Sequence, residues 1–454
     1  MPIEYIIYIP IVVFVSIILM SKAKNNAFIG LFLLWLFGSP IFLNPRYVIS
    51  LSFFGFDIQP TRFLFLILTP VLYLSVMTPR RFLTQSGSFR PTRFKSYELL
   101  LFGFILVVMF VSVINIGPIG SRRVFANVTN AIAFIVVYLC SKKFMKKDDF
   151  TLIQIAFLTF AAISAIVAIY QFFVNPDFFR LGSIRGLFLN YYRSNGVFTS
   201  EYDQGMFLVY SIIVVMSTNL TWRIKIPFIV IVSAGVFVTM HRLSWVALIF
   251  TLGMIWFLYL RKNLLTYILV PLTLLVFTIF ALNVSWSQLP IGKFGSKLIA
   301  NRILADTLSG RFSQYKFAFY MLKEYPLGIG DYFTSFYDWV AYSQGVSTDE
   351  SGTRALIVHN GFLSAGVKYG ILGLILFSLF IFTSILDFLK HSIREGKNWY
   401  PLLMILLVFL IFNLTNDFSF LGNQMGVTLA WLIGGYVSLN NQIEVGDNNM
   451  EPTI

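Results

Sequence analysis

TLIQIAFLTFAAISAIVAIYQFF, residues 151–173, runs for 23 positions without a charge. At a rise of about 1.5 Å per residue, a helix of this length crosses the roughly 30 Å hydrocarbon core of a bilayer. Strands of a membrane barrel would instead alternate polar and apolar side chains over pieces of about ten residues, and this stretch has no such alternation. In hydrocarbon the backbone must satisfy its own hydrogen bonds, so the segment is read as a transmembrane helix.

Similar runs lie near 5–20, 27–43, 63–78, 99–116, 124–140, 205–218, 226–240, 244–260, 264–282, 361–386, 400–415 and 425–438. The expectation is an all-α polytopic membrane protein of about 12–13 spans. Its parts would be N-terminal spans over 1–282, an extracytoplasmic loop over 283–360 with short helices of its own, C-terminal spans over 361–438 and a polar cytoplasmic tail over 439–454. The whole chain agrees: of 454 residues, 57% are hydrophobic and 12% charged, with a mean hydropathy of +0.78. That composition excludes a soluble enzyme. The start, Met1-Pro2-Ile3-Glu4, has no basic leader and no cleavage motif after its apolar run, so an uncleaved first span is expected.

A net charge of +14 invites a nucleic-acid reading, which the placement of the charges removes. Loops and helix ends with Lys22, Lys24, Arg80, Arg81, Arg90, Arg93, Lys95, Lys142, Lys143, Lys146, Lys147, Arg223, Lys225, Arg261, Lys262, Lys390, Arg394 and Lys397 are assigned to the cytoplasm. These 18 basic residues face only five acidic ones on that side, a balance of +13, or +10 with the acidic tail counted. Positive-inside bias accounts for the charge, and nucleic acid is not a partner. One cysteine, Cys140, excludes an intramolecular disulfide, and three histidines without a Cys/His cluster give no structural zinc site.

This orientation puts segments near 174–204 and 283–360 outside the cytoplasm, where loops of that length carry function. Basic residues there run against the bias. Arg242 stands in a tight turn between two long runs, where it either snorkels to the surface or holds an anion. Arg311 opens an amphipathic segment whose Phe312, Tyr315, Phe319 and Leu322 share one face, ended by Pro326, Gly328 and Gly330. A helix start offers free N–H groups to an anion, and a guanidinium can bind two phosphate oxygens at once. His359 and Asn360 precede the long 361–386 run, Asn360 as a helix cap and His359 as a candidate general base. Arg193, Glu201 and Asp203 belong to the shorter loop, either as site residues or as solvated charges. The carboxylates outside the cytoplasm show no metal-ligand spacing, so metal-free chemistry is expected and no cofactor is called for. No internal repeat and no broken mid-membrane helix is read, which argues against a flippase or other transporter.

His359-Asn360, nine residues, then Gly370-Ile371-Leu372-Gly373 resembles the signature of the bacterial O-antigen ligase and O-antigen polymerase superfamily. Ser309-Gly310-Arg311 with Tyr325-Pro326-Leu327-Gly328-Ile329-Gly330 resembles the family's long-loop helix and the turn after it. Arg193-Ser194-Asn195-Gly196 resembles its Arg-x-x-Gly stretch. Met240-His241-Arg242-Leu243 resembles its Ser-Arg-Gly turn with only the arginine kept. The resemblance spans roughly residues 185–415.

It implies a metal-independent glycosyltransferase on the outer face of the bacterial inner membrane, acting on an undecaprenyl-diphosphate-linked glycan. Arg242 and Arg311, with Arg193 nearby, would clamp the diphosphate; His359 would be the base; Asn360, Tyr315, Glu201 and Asp203 would support them. Polymerisation of lipid-linked repeat units is the first reading. Ligation to lipid A core or another acceptor is the second. The implied partners are the lipid-linked donor, the acceptor, membrane lipids and a chain-length regulator.

Overall fold

The computed structural model describes residues 3–22, 27–42, 51–53, 56–58, 94–115, 121–180, 187–188, 191–259, 308–330, 358, 360–415 and 424–448. Among these, twelve α-helices dominate: α1 (Ile3–Lys22), α2 (Ala27–Phe42), α3 (Ser96–Ile114), α4 (Ser121–Phe144), α5 (Lys147–Phe173), α6 (Glu201–Ser217), α7 (Trp222–Val238), α8 (Arg242–Tyr259), α9 (Leu308–Glu324), α10 (Gly361–Glu395), α11 (Tyr400–Thr415) and α12 (Gln424–Asn448). Two short antiparallel ladders accompany them, β1 (Leu51–Phe53) with β2 (Phe56–Ile58) and β3 (Leu187–Phe188) with β4 (Tyr191–Tyr192).

Four of the described helical segments, Ser96–Ile114, Lys147–Phe173, Arg242–Tyr259 and Gly361–Asn398, are long and apolar enough to cross a membrane. Shorter apolar segments include Tyr400–Leu414 and Met425–Asn440. The protein is an all-α, multi-pass membrane protein. The runs at 63–78 and 264–282, and most of the 283–360 loop, lie outside the described residues. The α12 helix carries on to Asn448, into the segment read as a polar tail.

The chain divides into two compact units. One comprises Met1–Ser21, Gln154–Ser309 and Glu395–Phe412. Its centre is α6, whose side chains from Gln204 to Met216 are all buried, as a helix surrounded by other helices requires. Phe207 of α6 packs at ring-centroid distances of 4.4 Å from Phe157, 5.4 Å from Phe160 and 4.9 Å from Phe198. Buried amides are satisfied within this core. Ser164 Oγ donates to Gln204 Oε1 at 2.6 Å, and Gln204 Nε2 donates to the Ser164 carbonyl at 3.2 Å.

The other unit comprises Lys22–Ile153, Gly310–Arg394 and Asn413–Ile454. At one end of α3, Glu98 is fully buried and receives Lys142 Nζ of α4 on both oxygens, at 2.6 and 2.8 Å, together with the Tyr138 hydroxyl. Its Oε2 also accepts the Lys95 N–H at 2.9 Å, closing the first turn of α3. Nearby, Lys95 Nζ reaches Asp387 Oδ2 of α10 at 3.4 Å.

The α10 helix is broken. Gly370 has φ 76° and ψ −176°, a conformation open essentially to glycine alone, so the helical ladder lapses there. The turn after α9 supplies the missing partners: Ile329 N–H donates to the Val367 carbonyl at 3.1 Å, Gly330 N–H to the Lys368 carbonyl at 2.8 Å, and Ile371 N–H to the Pro326 carbonyl at 2.9 Å. Gly328, at φ 82°, lies so close that a Cβ there would strike the Gly370 and Lys368 backbone. A broken helix was not anticipated from sequence, because Gly370 sits in a long, mostly apolar run that a single helix can span.

Candidate active site

In the first unit, three pieces of chain meet at one end of α6. The Arg193–Ser200 stretch is held by buried amides rather than by regular structure. Gln171 Oε1 accepts the N–H groups of Asn195 and Gly196 at 3.1 and 2.9 Å, while its Nε2 donates to the Gly196 carbonyl at 2.9 Å. Gly196 is needed twice over, by its φ of 56° and because a Cβ would run into the Gln204 amide. Ser194 N–H donates to the Val238 carbonyl at 3.2 Å, which ties this stretch to the end of α7.

Arg193 and Glu201 form an ion pair, Nη1 to Oε1 at 3.1 Å, with both side chains largely buried. Of the two alternatives read for these charges, free solvation is not the one seen: they are paired with each other. Ser200 caps α6 by accepting the Asp203 N–H at 3.1 Å and donates to Asp203 Oδ2 at 2.8 Å. A carboxylate in the first turn of a helix also meets the positive end of the dipole. Arg180, not singled out from the sequence, braces the segment by donating from Nη2 to the Arg193 carbonyl at 3.0 Å.

The turn from α7 to α8 is only Thr239-Met240-His241, with Met240 at φ 53°. Arg242 is therefore the first residue of α8 and is partly buried. His241 caps α8: its Nδ1 accepts the Ser244 N–H at 3.3 Å and lies 2.8 Å from Ser244 Oγ. Because the backbone N–H leaves Nδ1 as the acceptor, the neutral ring carries its proton on Nε2. The Ser244 side chain fills the space where Gly205 of α6 lacks a Cβ, and Tyr202 stands edge-on to the His241 ring at 5.6 Å. Arg193, Glu201, Asp203 and Arg242 thus share one end of the α6–α8 pair. A signal for the His241 cap was present in His241-x-x-Ser244, three residues from cap to capped N–H, but histidine is an uncommon cap.

In the second unit, Arg311 lies in the first turn of α9, and Tyr315, one turn later, is partly buried. The Arg311 side chain lies outside the described residues. The packed face of α9 is Phe317, Ala318, Met321 and Leu322, grouped with Ile329, Val358 and Val367 of the same unit, whereas Phe319 is 62% exposed. This corrects the expected stripe through Phe319. Both spacings are helical, and the one that packs is set by Ile329, Val358 and Val367, which meet Phe317, Ala318 and Met321.

His359 lies outside the described residues, and its neighbours in sequence define the frame around it. Asn360 N–H donates to the Val358 carbonyl at 2.8 Å. Asn360 Oδ1 accepts the Leu363 N–H at 3.0 Å, so it is the cap of α10 as read from the sequence, and its Nδ2 donates to the Leu414 carbonyl at the end of α11 at 3.1 Å. Both ends of the amide are used structurally. Asn360→Ala is expected to destabilise the protein by about 1 kcal/mol or somewhat more, and Asn360→Asp by less, because the cap oxygen survives. Thermal denaturation in detergent, compared across the three proteins, measures this.

Among the described residues, no three His, Cys, Asp or Glu side chains are grouped so that they could hold a metal ion.

Residues 227–378, from α7 to the middle of α10, match the family described as O-antigen ligase. No curated protein matches the chain. The family match supports the O-antigen ligase and polymerase superfamily, and with it glycosyl transfer at a membrane in the assembly of O-antigen or a related polysaccharide.

Proposed function

We propose that this protein polymerises polyprenyl-diphosphate-linked oligosaccharide repeat units on the extracytoplasmic face of the bacterial inner membrane. The observation that carries the reading is the end of the α6–α8 pair, where Arg242 opens a helix directly after a three-residue turn, beside the Arg193–Glu201 pair. A second basic residue, Arg311, is the fourth residue of α9, at the end of its first turn. Helix starts bearing arginines suit a diphosphate, because N–H groups and guanidinium forks both address phosphate oxygens.

In this reading the acceptor hydroxyl attacks the anomeric carbon of the donor, and its proton passes to the His359 imidazole. The bond from that carbon to the diphosphate oxygen breaks with inversion, and the diphosphate leaves with the electron pair. Arg242 and Arg311 stabilise the charge that develops there, and no metal is required. The donor's polyprenyl chain stays in lipid, which is why the enzyme is built into a membrane.

Ligation to lipid A core is the second reading, favoured by the description of the matched family. The two share the donor and differ in the acceptor. Purified protein given a polyprenyl-diphosphate oligosaccharide separates them: longer lipid-linked glycan together with released polyprenyl diphosphate means polymerase. Release only when lipid A core is added means ligase.

Two further outcomes are expected in that assay. Transfer persists in chelator; activity restored only by a divalent cation would instead point to Glu201, Asp203, Asp349 or Glu350. Arg311→Lys lowers donor use although its charge is kept, because the two-pronged contact is lost, and the removal of one such stabilising donor typically slows transfer by ~10²–10³. Unchanged kinetics for Arg311→Lys would remove Arg311 from the clamp. A reporter fused near Gly345 should signal from outside the cytoplasm, and a cytoplasmic signal would reverse the orientation.

A further inference from the structure

Helix length places the docking level of the turn after α9 near the loop-side edge of the hydrocarbon that α10 would cross. Asp387, Lys390, His391 and Arg394 mark where α10 leaves the apolar core at its charged end, and Asp387 is held there by Lys95. From Asp387 back to Ile371 is 16 residues, or about 24 Å of helix, against a core of about 30 Å. Ile371 therefore falls roughly 6 Å short of the opposite boundary, and any tilt of the helix places it deeper. Yet Ile371 N–H is bonded to the Pro326 carbonyl, so the Pro326–Leu327 turn is at that depth too.

Irregular backbone is tolerated at such depth only where its polar groups are met by protein. Here they are met: the Val367 and Lys368 carbonyls and the Ile371 N–H, freed by the break at Gly370, are the groups that bond to Ile329, Gly330 and Pro326. The side chains tell the same story from outside. Leu327 is 67% exposed, and it stands beside the top of a stripe of exposed apolar residues, Ile371, Leu372, Ile375 and Leu379, on the membrane-spanning part of α10. On α9, exposed Phe319 is flanked one turn to either side by exposed Lys316 and Lys323, the pattern of a helix lying in an interface with its cations toward lipid phosphates.

We propose that the Tyr325–Gly330 turn is a re-entrant element that anchors α9 in the bilayer, with Leu327 and Phe319 seated among the acyl chains of the leaflet on the loop side. The occupant of this surface is bulk lipid. The anchor holds α9 along the headgroup layer, the level at which the phosphates of a lipid-linked substrate lie. The inference rests on the membrane-spanning character of α10 and is independent of the glycosyl-transfer reading.

The single native thiol, Cys140, is buried, so an added cysteine can be labelled in the folded protein. Leu327→Cys and Phe319→Cys, each carrying an environment-sensitive fluorophore, are compared with Lys397→Cys in bilayers of phosphatidylethanolamine and phosphatidylglycerol. The labels at 327 and 319 should be quenched by lipids brominated near the headgroup end of the chain and protected from aqueous iodide, with the reverse at 397. Iodide quenching at 327 and 319 equal to that at 397 would overturn the proposal. Relief of the bromolipid quenching by added polyprenyl diphosphate would also overturn it, by assigning the surface to the substrate's tail. Two labelled positions on separate segments protect the test against one variant that fails to insert.

Discussion

His359→Ala is expected to abolish glycan transfer while leaving the amount of protein in the membrane, and its binding of the lipid-linked donor, close to normal. Of Val358, His359 and Asn360, the residues that lead into α10, only the His359 imidazole can accept a proton from a hydroxyl at neutral pH. Asn360 supplies the frame, with its cap to Leu363 and its bond to Leu414 independent of the histidine side chain. Truncating the ring removes chemistry and leaves the helix start intact. General base catalysis alone contributes about 10²–10⁴ in rate, and here it would act on an otherwise unactivated sugar hydroxyl. The measurement is single-turnover release of polyprenyl diphosphate alongside a donor-binding assay. Near-normal polymer from His359→Ala would sink the base assignment; loss of donor binding in step with activity would make His359 a binding group instead.

Gly370→Ala is expected to be as severe by a different route. An L-residue at φ 76°, ψ −176° is strained by about 1–3 kcal/mol before any contact is considered. The added Cβ would also collide with the Pro326 carbonyl oxygen, the acceptor for Ile371 N–H. Relief requires the turn to retreat, which strips partners from backbone groups at Val367, Lys368 and Ile371. Each buried group so exposed costs about another 1–3 kcal/mol. The expected result is poor accumulation and loss of protease resistance across 308–330. Gly253→Ala serves as the comparison, since Gly253 lies within α8 and a Cβ there would meet nothing within 4 Å. Equal accumulation of wild type and Gly370→Ala would show that the break is not needed.

What could be read in advance follows from how local each signal is. The end of α9 at Glu324 was legible because Pro326, Gly328 and Gly330 interrupt a helix by their own covalent chemistry. The Asn360 cap was legible for the same reason, an asparagine immediately before a long apolar run. The three-residue turn before Arg242 followed from two spans with almost nothing between them. The break at Gly370 was not legible. Glycine in an apolar run is compatible with an unbroken helix, and what selects the left-handed conformation is a turn more than forty residues earlier in the chain. The Arg193–Glu201 pair and the exposure of Phe319 were hidden likewise, since both depend on which neighbours arrive rather than on spacing. The lone amide that holds Asn195 and Gly196, Gln171, carries no sequence signal beyond being polar in a span.

The buried Glu98–Lys142 pair bears on how the chain is made. A carboxylate at the start of α3 and an ammonium at the end of α4 are each poorly placed alone once packing removes them from water, and loss of either partner from such a buried pair costs about 3–5 kcal/mol. Only six residues, 115–120, separate the two helices. Neither charge is matched until both have left the translocation channel, so α3 gains its partner only when α4 follows, and the two behave during synthesis as one hairpin.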